Sequence, residues 1–373
     1  MLIAFFDQIL IREFNLILIM ATRSILLTST KGGSGKSVIA IGAFLKLKET
    51  GHKPGYFKPI GDSLSMTPKN RTDKDVSVIS AVVARQFSKE LICPQFYNPE
   101  YFLDEVLLEE APDVMEKIKD AYQIISAKTD IILIEGNHNF NQYCVVGLDD
   151  LQMAKEFKSE VIICAPIADD DDLNLVVGTY NYIKSQNVPI AGVILSGTTQ
   201  NADTRIEKYH KPLLERLQIN VIGGLKNSKQ LEKPTIAEIM EAVHGNLISG
   251  EYIKIKNNFI DGFTIGAMGA NAAISFMRKQ KNQCIITGGD RSDVALGAIE
   301  IGAGLIIFSG NIDPNQRVIS AAEEKGIPLI KSPSDTYTIT EQIKKIHTHI
   351  QPNEIQLCRD QVEEHVDWDN FPH

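Results

Sequence analysis

Between Ser24 and Glu241 the chain alternates short apolar runs with longer stretches in which apolar positions recur every three or four residues. The runs "SILLTS", "PGYFKPI", "DIILIEG", "EVIICAPI", "IAGVILSG" and "INVIGGL" are of strand length. Each is apolar on both faces, as strands inside a parallel sheet are. Helical periods fill the gaps, among them "SVIAIGAFLKLKET", closed by Gly51, and "DDLNLVVGTYNYIKSQN", opened by aspartates. This alternation predicts a doubly wound, mostly parallel α/β domain over 24–241, with ligands beyond the carboxyl ends of its strands.

A smaller α/β domain is predicted over 245–352. It reads "NQCIITGG", a helix "DRSDVALGAIEIG", "AGLIIFSG", a helix "DPNQRVISAAEEKG", "IPLIKS" and a last helix from about Ser334. The segment 353–373, ending "DQVEEHVDWDNFPH", is polar and acidic and is expected to be loosely held. Residues 1–23 form an amino-terminal extension. Its "MLIAFFDQILIREFNLILIM" is apolar but interrupted by Asp7, Arg12 and Glu13, with no basic region before it. That argues against a signal peptide or a membrane span. Met20, opening "MATRSILLTS", is the expected start of the protein; the alternative is an amphipathic helix docked on the domain.

At 373 residues and 43% hydrophobic, the chain is long enough for two domains. A formal net charge of -9 offers no basic surface for nucleic acid or for an anionic membrane. Five cysteines without a CxxC pair suggest a reducing cytoplasm and no zinc site.

The candidate chemistry begins at "LLTSTKGGSGKSVIAIG", residues 26–42. A glycine-rich turn between a strand and a helix points backbone N–H groups at one place and makes an anion site. The phosphate-binding candidates are Lys31, Gly32, Gly33, Ser34, Gly35, Lys36 and Ser37. Lys36 would meet the β- and γ-phosphates of ATP, and Ser37 would offer its hydroxyl to Mg²⁺. Thr30 stands where the common GxxxxGK[ST] pattern has its first glycine; KGGxGK[ST] fits instead. That form resembles the deviant P-loop of the ParA, MinD and nitrogenase iron-protein class. The resemblance implies that Lys31 reaches a bound nucleotide, often across a dimer, and so a homo-oligomer.

"YFKPIG", "DKDVSVIS" and "ILIEGNHNF", in that order, resemble the dethiobiotin-synthetase-like family. The resemblance implies that Lys58 faces the substrate, that Asp75 helps hold Mg²⁺ and that Glu135 is a metal ligand. Lys36, Lys58 and Glu135 are then the catalytic candidates, and Ser37, Asp75 and Glu135 the metal ligands. From the residues alone, Lys58 could be a solvated strand-end lysine and Glu135 a strand-end acid. Asp75 could equally be a helix N-cap, a place Asp73 could also take. His138 reads as a loop histidine, and Asp169 to Asp172 as a charge complement to a helix N-terminus. Ser196 and Gly197 stand where the family places an adenine-reading Asn, so GTP stays open beside ATP. The family's serine-rich substrate turn is not evident.

"IITGGDRSDVALGAIEIGA" and "SDTYTIT" resemble the core and the closing segment of the DRTGG domain. The two domains together, over roughly 24–350, resemble the amino-terminal part of long bacterial phosphate acetyltransferases. That implies a regulatory region responding to small effectors, and no acetyl transfer is expected of it. Asp290 is expected to cap the helix after Thr287, Gly288 and Gly289. The glycines there admit either a ligand or close internal packing. The function expected is Mg²⁺-dependent ATP binding with slow hydrolysis under a DRTGG regulatory module. One alternative is an ATP-dependent ligase that phosphorylates a small carboxylate or carbamate, with Lys58 orienting it. Another is a dimeric ParA/MinD-type ATPase, which the acidic charge disfavours.

Overall fold

A computed structural model describes residues 22–62, 73–99, 101–108, 111–199, 201–226, 231, 233–266, 282–344, 346 and 348–373. The amino-terminal extension up to residue 21, with the proposed start at Met20, lies outside the described residues. The chain divides into two compact units. The first runs to Asn227 and resumes at Ile350; the second is Ser228–His349.

The first unit is built on β1 (Arg23–Ser29), β2 (Pro54–Phe57), β5 (Ile131–Glu135), β6 (Glu160–Ile167), β7 (Ile190–Gly197) and β8 (Val221–Leu225). They form one parallel sheet in the order β2-β5-β1-β6-β7-β8. With β1 central, the chain works outward to both sides, which is the doubly wound topology. A separate parallel pair, β3 (Ile60–Asp62) with β4 (Gln95–Tyr97), was not evident in the sequence. The run "PGYFKPI" therefore does not form one strand. It breaks after Phe57, where Pro59 has no N–H to give a ladder. Among the helices of this unit are α1 (Lys36–Glu49), α2 (Lys74–Val78), α3 (Asp150–Glu156) and α4 (Asp172–Ser185).

The second unit carries β9 (Asn246–Ser249), β10 (Gly262–Ile265), β11 (Gln283–Gly288), β12 (Leu305–Ser309) and β13 (Leu329–Lys331). Their order is β10-β11-β12-β13-β9, parallel except for β9 at the edge. The sequence reading missed β9 and β10. One face packs Ile285, Ile306 and Phe308 against α6 (Ser292–Glu300) and α7 (Gln316–Lys325). The other packs Cys284, Ile286 and Ile307 against α5 (Ile236–Ala242) and α8 (Thr336–Lys344). One expectation is corrected at the Gly-Gly turn. Arg291, not Asp290, is the residue before α6, and no side chain caps that helix. A Cβ at Gly289 would lie 2.2 Å from the carbonyl oxygen of Ile312. The space that glycine frees is taken by the unit's own backbone.

The segment 353–373 is not loosely held. It forms α9 (Ile355–His365), which buries Ile355, Cys358 and Val362. A Cβ at Gly42 on α1 would meet Val362 Cγ2 at 2.4 Å, so the glycine lets the two helices touch. Beyond α9 the Asp367 amide donates to the Ile222 carbonyl at 2.8 Å, and Phe371 is 2% exposed. Arg359 makes a two-pronged pair with Glu49 at 2.8 and 3.0 Å. Glu363, Glu364, Asp367 and Asp369 are exposed, Glu354 is buried, and the apolar stripe does the docking. Among the described residues, no helix is long and apolar enough to cross a membrane.

Candidate functional site

The phosphate loop leaves the carboxyl end of β1 and enters α1. Gly33 (φ +72°) and Gly35 (φ +77°) take up left-handed backbone, which lets the loop fold back over the helix N-terminus. Lys36 opens α1 and is 9% exposed. Its Nζ donates to Ser29 Oγ at 2.7 Å, and Ser29 Oγ donates in turn to the His138 carbonyl at 2.8 Å. Burial lowers the Lys36 pKa, against the pull of Glu135 and Asp150. The ammonium thus sits in a site that gains from an incoming anion. Lys31 pairs with Asp172, which also accepts from the Ala168 amide at 2.7 Å. Asp170, in the same acidic run, binds Arg205 and His210. These two aspartates have side-chain partners and are not merely a complement to the helix dipole.

Pairing in the sheet brings the acids to the loop. Glu135 lies beside Leu27 in the β1–β5 register, two residues before the end of β1. Ser37 Oγ lies 3.0 Å from Glu135 Oε1 and 3.0 Å from Asp75 Oδ2. One hydroxyl proton can serve only one of the two carboxylates at a time. Two buried carboxylates around a hydroxyl make an all-oxygen donor set suited to Mg²⁺, which keeps several waters and phosphate oxygens of its own. Among the described residues no group of three or more His, Cys, Asp and Glu side chains could hold a metal alone. The Tyr56 hydroxyl donates to Glu135 Oε2 at 2.8 Å.

The structure brings Lys58 to the same place. Its Nζ is 2.7 Å from Asp73 Oδ2 and 3.4 Å from Glu135 Oε1. Burial opposes the charge, yet Asp73, Glu135 and Asp75 hold its pKa well above the ordinary lysine value. Lys58 is a buried, paired cation, not a solvated one. Asp73 is the N-cap of α2, accepting from the Val76 amide at 3.0 Å. That leaves the Asp75 carboxylate to Ser37 and to the Ile350 amide, 3.0 Å from Oδ1. On the other flank, Ser196 Oγ donates to the Ser34 carbonyl at 2.8 Å. Asp203 lies over Gly197, where a Cβ would be 2.1 Å from its Oδ1.

Sequence reasoning missed Ser29, Tyr56 and Asp150. Asp150 follows the N-cap Asp149 of α3 and is 2% exposed. It accepts from Thr28 Oγ1 at 2.5 Å and from the Asn137 amide at 2.7 Å, tying β1 to the turn after β5. Burial raises its pKa from 3.8 to about 7, against those two hydrogen bonds. Below the lower value the group is protonated in both folded and unfolded chains. Between the two values only the unfolded chain releases the proton, so stability falls as pH rises, and the fall ends above the folded value. Asp150→Asn keeps both hydrogen bonds once the Thr28 hydroxyl turns to accept. The variant is therefore expected to gain on the parent by a few kcal/mol as pH rises from about 4 to about 7. Thermal midpoints across that range check this; parallel curves for the two proteins would refute it.

A family model described as AAA domain matches residues 23–235, more than half of the chain. The chain belongs to that AAA domain family. A second model, described as DRTGG domain, matches residues 238–346 of the same chain. The phosphate acetyltransferase of Synechocystis sp. is 21% identical over 358 residues, covering 91% of this chain and 50% of its own length. The AAA-domain chain thus spans about half the length of that relative. The ATP-dependent dethiobiotin synthetase BioD of Methanocaldococcus jannaschii is 25% identical over 221 residues, 56% of this chain and 96% of that protein. Among solved structures, the septum site-determining protein MinD of Pyrococcus horikoshii complexed with Mg-ADP is 18% identical. It covers 56% of this chain and 83% of its own, with a TM-score of 0.36.

Proposed function

We propose that the first unit binds a nucleoside triphosphate, ATP foremost, as its Mg²⁺ complex and hydrolyses it slowly, and that the DRTGG unit regulates it through a small effector or a second copy of the chain. The observation that carries this reading is the convergence of Ser37, Asp75 and Glu135 beside the buried Lys36. In it the amides from Lys31 to Ser37 cradle the phosphates, and Lys36 neutralises the outer two. Mg²⁺ held by Ser37, Asp75 and Glu135 would offset charge on the transferred group. Lys58 sets the position of Glu135 and supplies positive charge on the same side. GTP remains an alternative ligand, since Ser196 is committed to the loop carbonyl. The acidic chain is assigned no nucleic-acid or membrane partner and a cytoplasmic location.

A second reading, an ATP-dependent ligase for a small carboxylate or carbamate, draws support from the match along nearly all of a dethiobiotin synthetase. Against it, Lys58 is already engaged by two carboxylates. The ParA/MinD-type reading is weaker, because Lys31 is held by Asp172 of its own chain.

Glu135→Gln tests the metal site, because it keeps the shape and removes the charge. Mg²⁺-dependent turnover is expected to fall by roughly a hundredfold or more, while nucleotide binding in EDTA survives. If the Gln variant hydrolyses ATP as fast as the parent, Glu135 is only a strand-end acid. Turnover that appears only with an added carboxylate or carbamate would select the ligase.

A further inference from the structure

We propose that His138 is a catalytic residue of the phosphate site: its imidazole meets the terminal phosphoryl group of the bound triphosphate and orients the water that attacks it. This rests on the nucleotide reading above and adds to it a residue that neither motif nor resemblance marks.

The sheet sets the direction in which a triphosphate must lie. On the β5 and β2 side of β1 stand Glu135, Tyr56 and Lys58, with Ser37 and Asp75 next to Glu135. Ser37, Asp75 and Glu135 would hold the metal on this side, where it would offset charge on the outer phosphates. On the β7 and β8 side, Ser196 and Leu225 close on Ser34 and Gly35; a Cβ at Gly35 would be 3.1 Å from Leu225 Cδ1. The nucleoside therefore leaves toward β7 and β8, and the terminal phosphate lies toward β5.

That end of the loop is Gly32, and His138 covers it. A Cβ at Gly32 would lie 1.9 Å from His138 Nε2 and 2.0 Å from Cε1. The edge of the ring carrying its outer nitrogen rests on the glycine, in space that any larger residue at position 32 would fill. The backbone on both sides of the ring is fixed to the strand that ends in the phosphate loop. The Gly136 amide donates to the Leu27 carbonyl at 2.9 Å and the Phe140 amide to the Ser29 carbonyl at 2.8 Å. Ser29 Oγ holds the His138 carbonyl, and the His138 amide donates to Gln142 Oε1 at 2.7 Å. The backbone that carries the ring is thus tied to the strand that leads into the cradle.

The chemistry suits the position. Neutral imidazole offers one donor and one acceptor, so it can bond a phosphate oxygen or take a proton from water. Lys36 is assigned to the outer phosphates, while Lys31 pairs with Asp172 and Lys58 with Asp73 and Glu135. In the step, the water oxygen bonds to the γ-phosphorus. The bond from that phosphorus to the β–γ bridging oxygen breaks, and its electron pair leaves with the nucleoside diphosphate. One water proton stays on the new phosphate, and the other passes through the imidazole to solvent.

The test uses the full chain with Mg²⁺ and three probes: ATP, ADP, and ADP with aluminium fluoride, which mimics the phosphoryl group in transfer. In His138→Ala, kcat is expected to fall by about a hundredfold with KM within about threefold, the range of a lost proton-transfer or orienting group. Affinity for ADP with aluminium fluoride should fall by at least about tenfold while that for ADP alone holds, because the ring acts only on the transferred group. His138→Gln, which keeps a hydrogen-bonding end, should recover part of both losses; it also stands in if the Ala variant is unstable. The fluoride measurement reads the ring even where parent turnover is too slow to follow. Equal losses for ADP and ADP with aluminium fluoride, or no loss in either, overturn the proposal. A parent that binds no nucleotide at all overturns the site reading itself, a result distinct from both.

Discussion

Replacing Lys36 by Ala is expected to weaken triphosphate binding by roughly ten- to a hundredfold. A charge-assisted hydrogen bond contributes about 1.5–3 kcal/mol, and each 1.4 kcal/mol is a decade in affinity. The direction follows from the unliganded site. The ammonium is buried, burial lowers its pKa, and its nearest partner at 2.7 Å is the neutral Ser29 hydroxyl. An arriving phosphate supplies the opposite charge that the site lacks at contact distance. The fold should not suffer, because Ser29 still donates to the His138 carbonyl. Calorimetric titration with a non-hydrolysable ATP analogue checks the loss. Unchanged affinity would remove Lys36, and with it the phosphate loop, from the reading of the site.

A chain ending at His349 is expected to lose the cooperative unfolding of the first unit altogether. The deleted residues bury Ile355, Val362, Val366 and Phe371. At about 1.5–3 kcal/mol for each side chain, the gross loss is roughly 6–12 kcal/mol, as large as the whole stability of an ordinary domain. The deletion also strips the face of α1 around Gly42, and takes the Ile350 amide from Asp75. Val362→Asp, a single charge placed in the same contact, should reproduce much of the effect. A truncated chain that melts at the parent temperature, followed by circular dichroism, would show the helix to be dispensable.

How much of this was legible follows from where each signal lives. Strands β1, β5, β6 and β7 are apolar on both faces, and burial on both sides of a sheet writes itself into the sequence as an unbroken run. Strands β3, β4, β9 and β10 have three or four residues each, too few for any period to show. The phosphate loop was readable from local spacing, and Asp75 and Glu135 were candidates only through the family resemblance; the structure brings both to the Ser37 hydroxyl. Ser29, Tyr56 and Asp150 were not, since their roles arise from partners such as His138, Glu135 and Asn137 that only the fold brings near. The α9 helix is a different failure. Ile355, Cys358 and Val362 stand at helical spacing on one face, and the polar, acidic composition of the surrounding segment masks that stripe.

The chain leaves the first unit at Asn227 and returns to it only at Ile350. On a ribosome, the central strands and the phosphate loop therefore emerge well before the helix that covers α1. At roughly 5–20 residues per second the interval between Gly42 and Val362 is on the order of tens of seconds. For that time the face of α1 around Gly42 has no cover, while the second unit, contiguous in sequence, has every residue it needs to fold. Nascent chains should accordingly be bound by chaperones through this interval. A messenger cut short anywhere within the second unit would yield a protein with an intact phosphate motif and no stable domain to hold it.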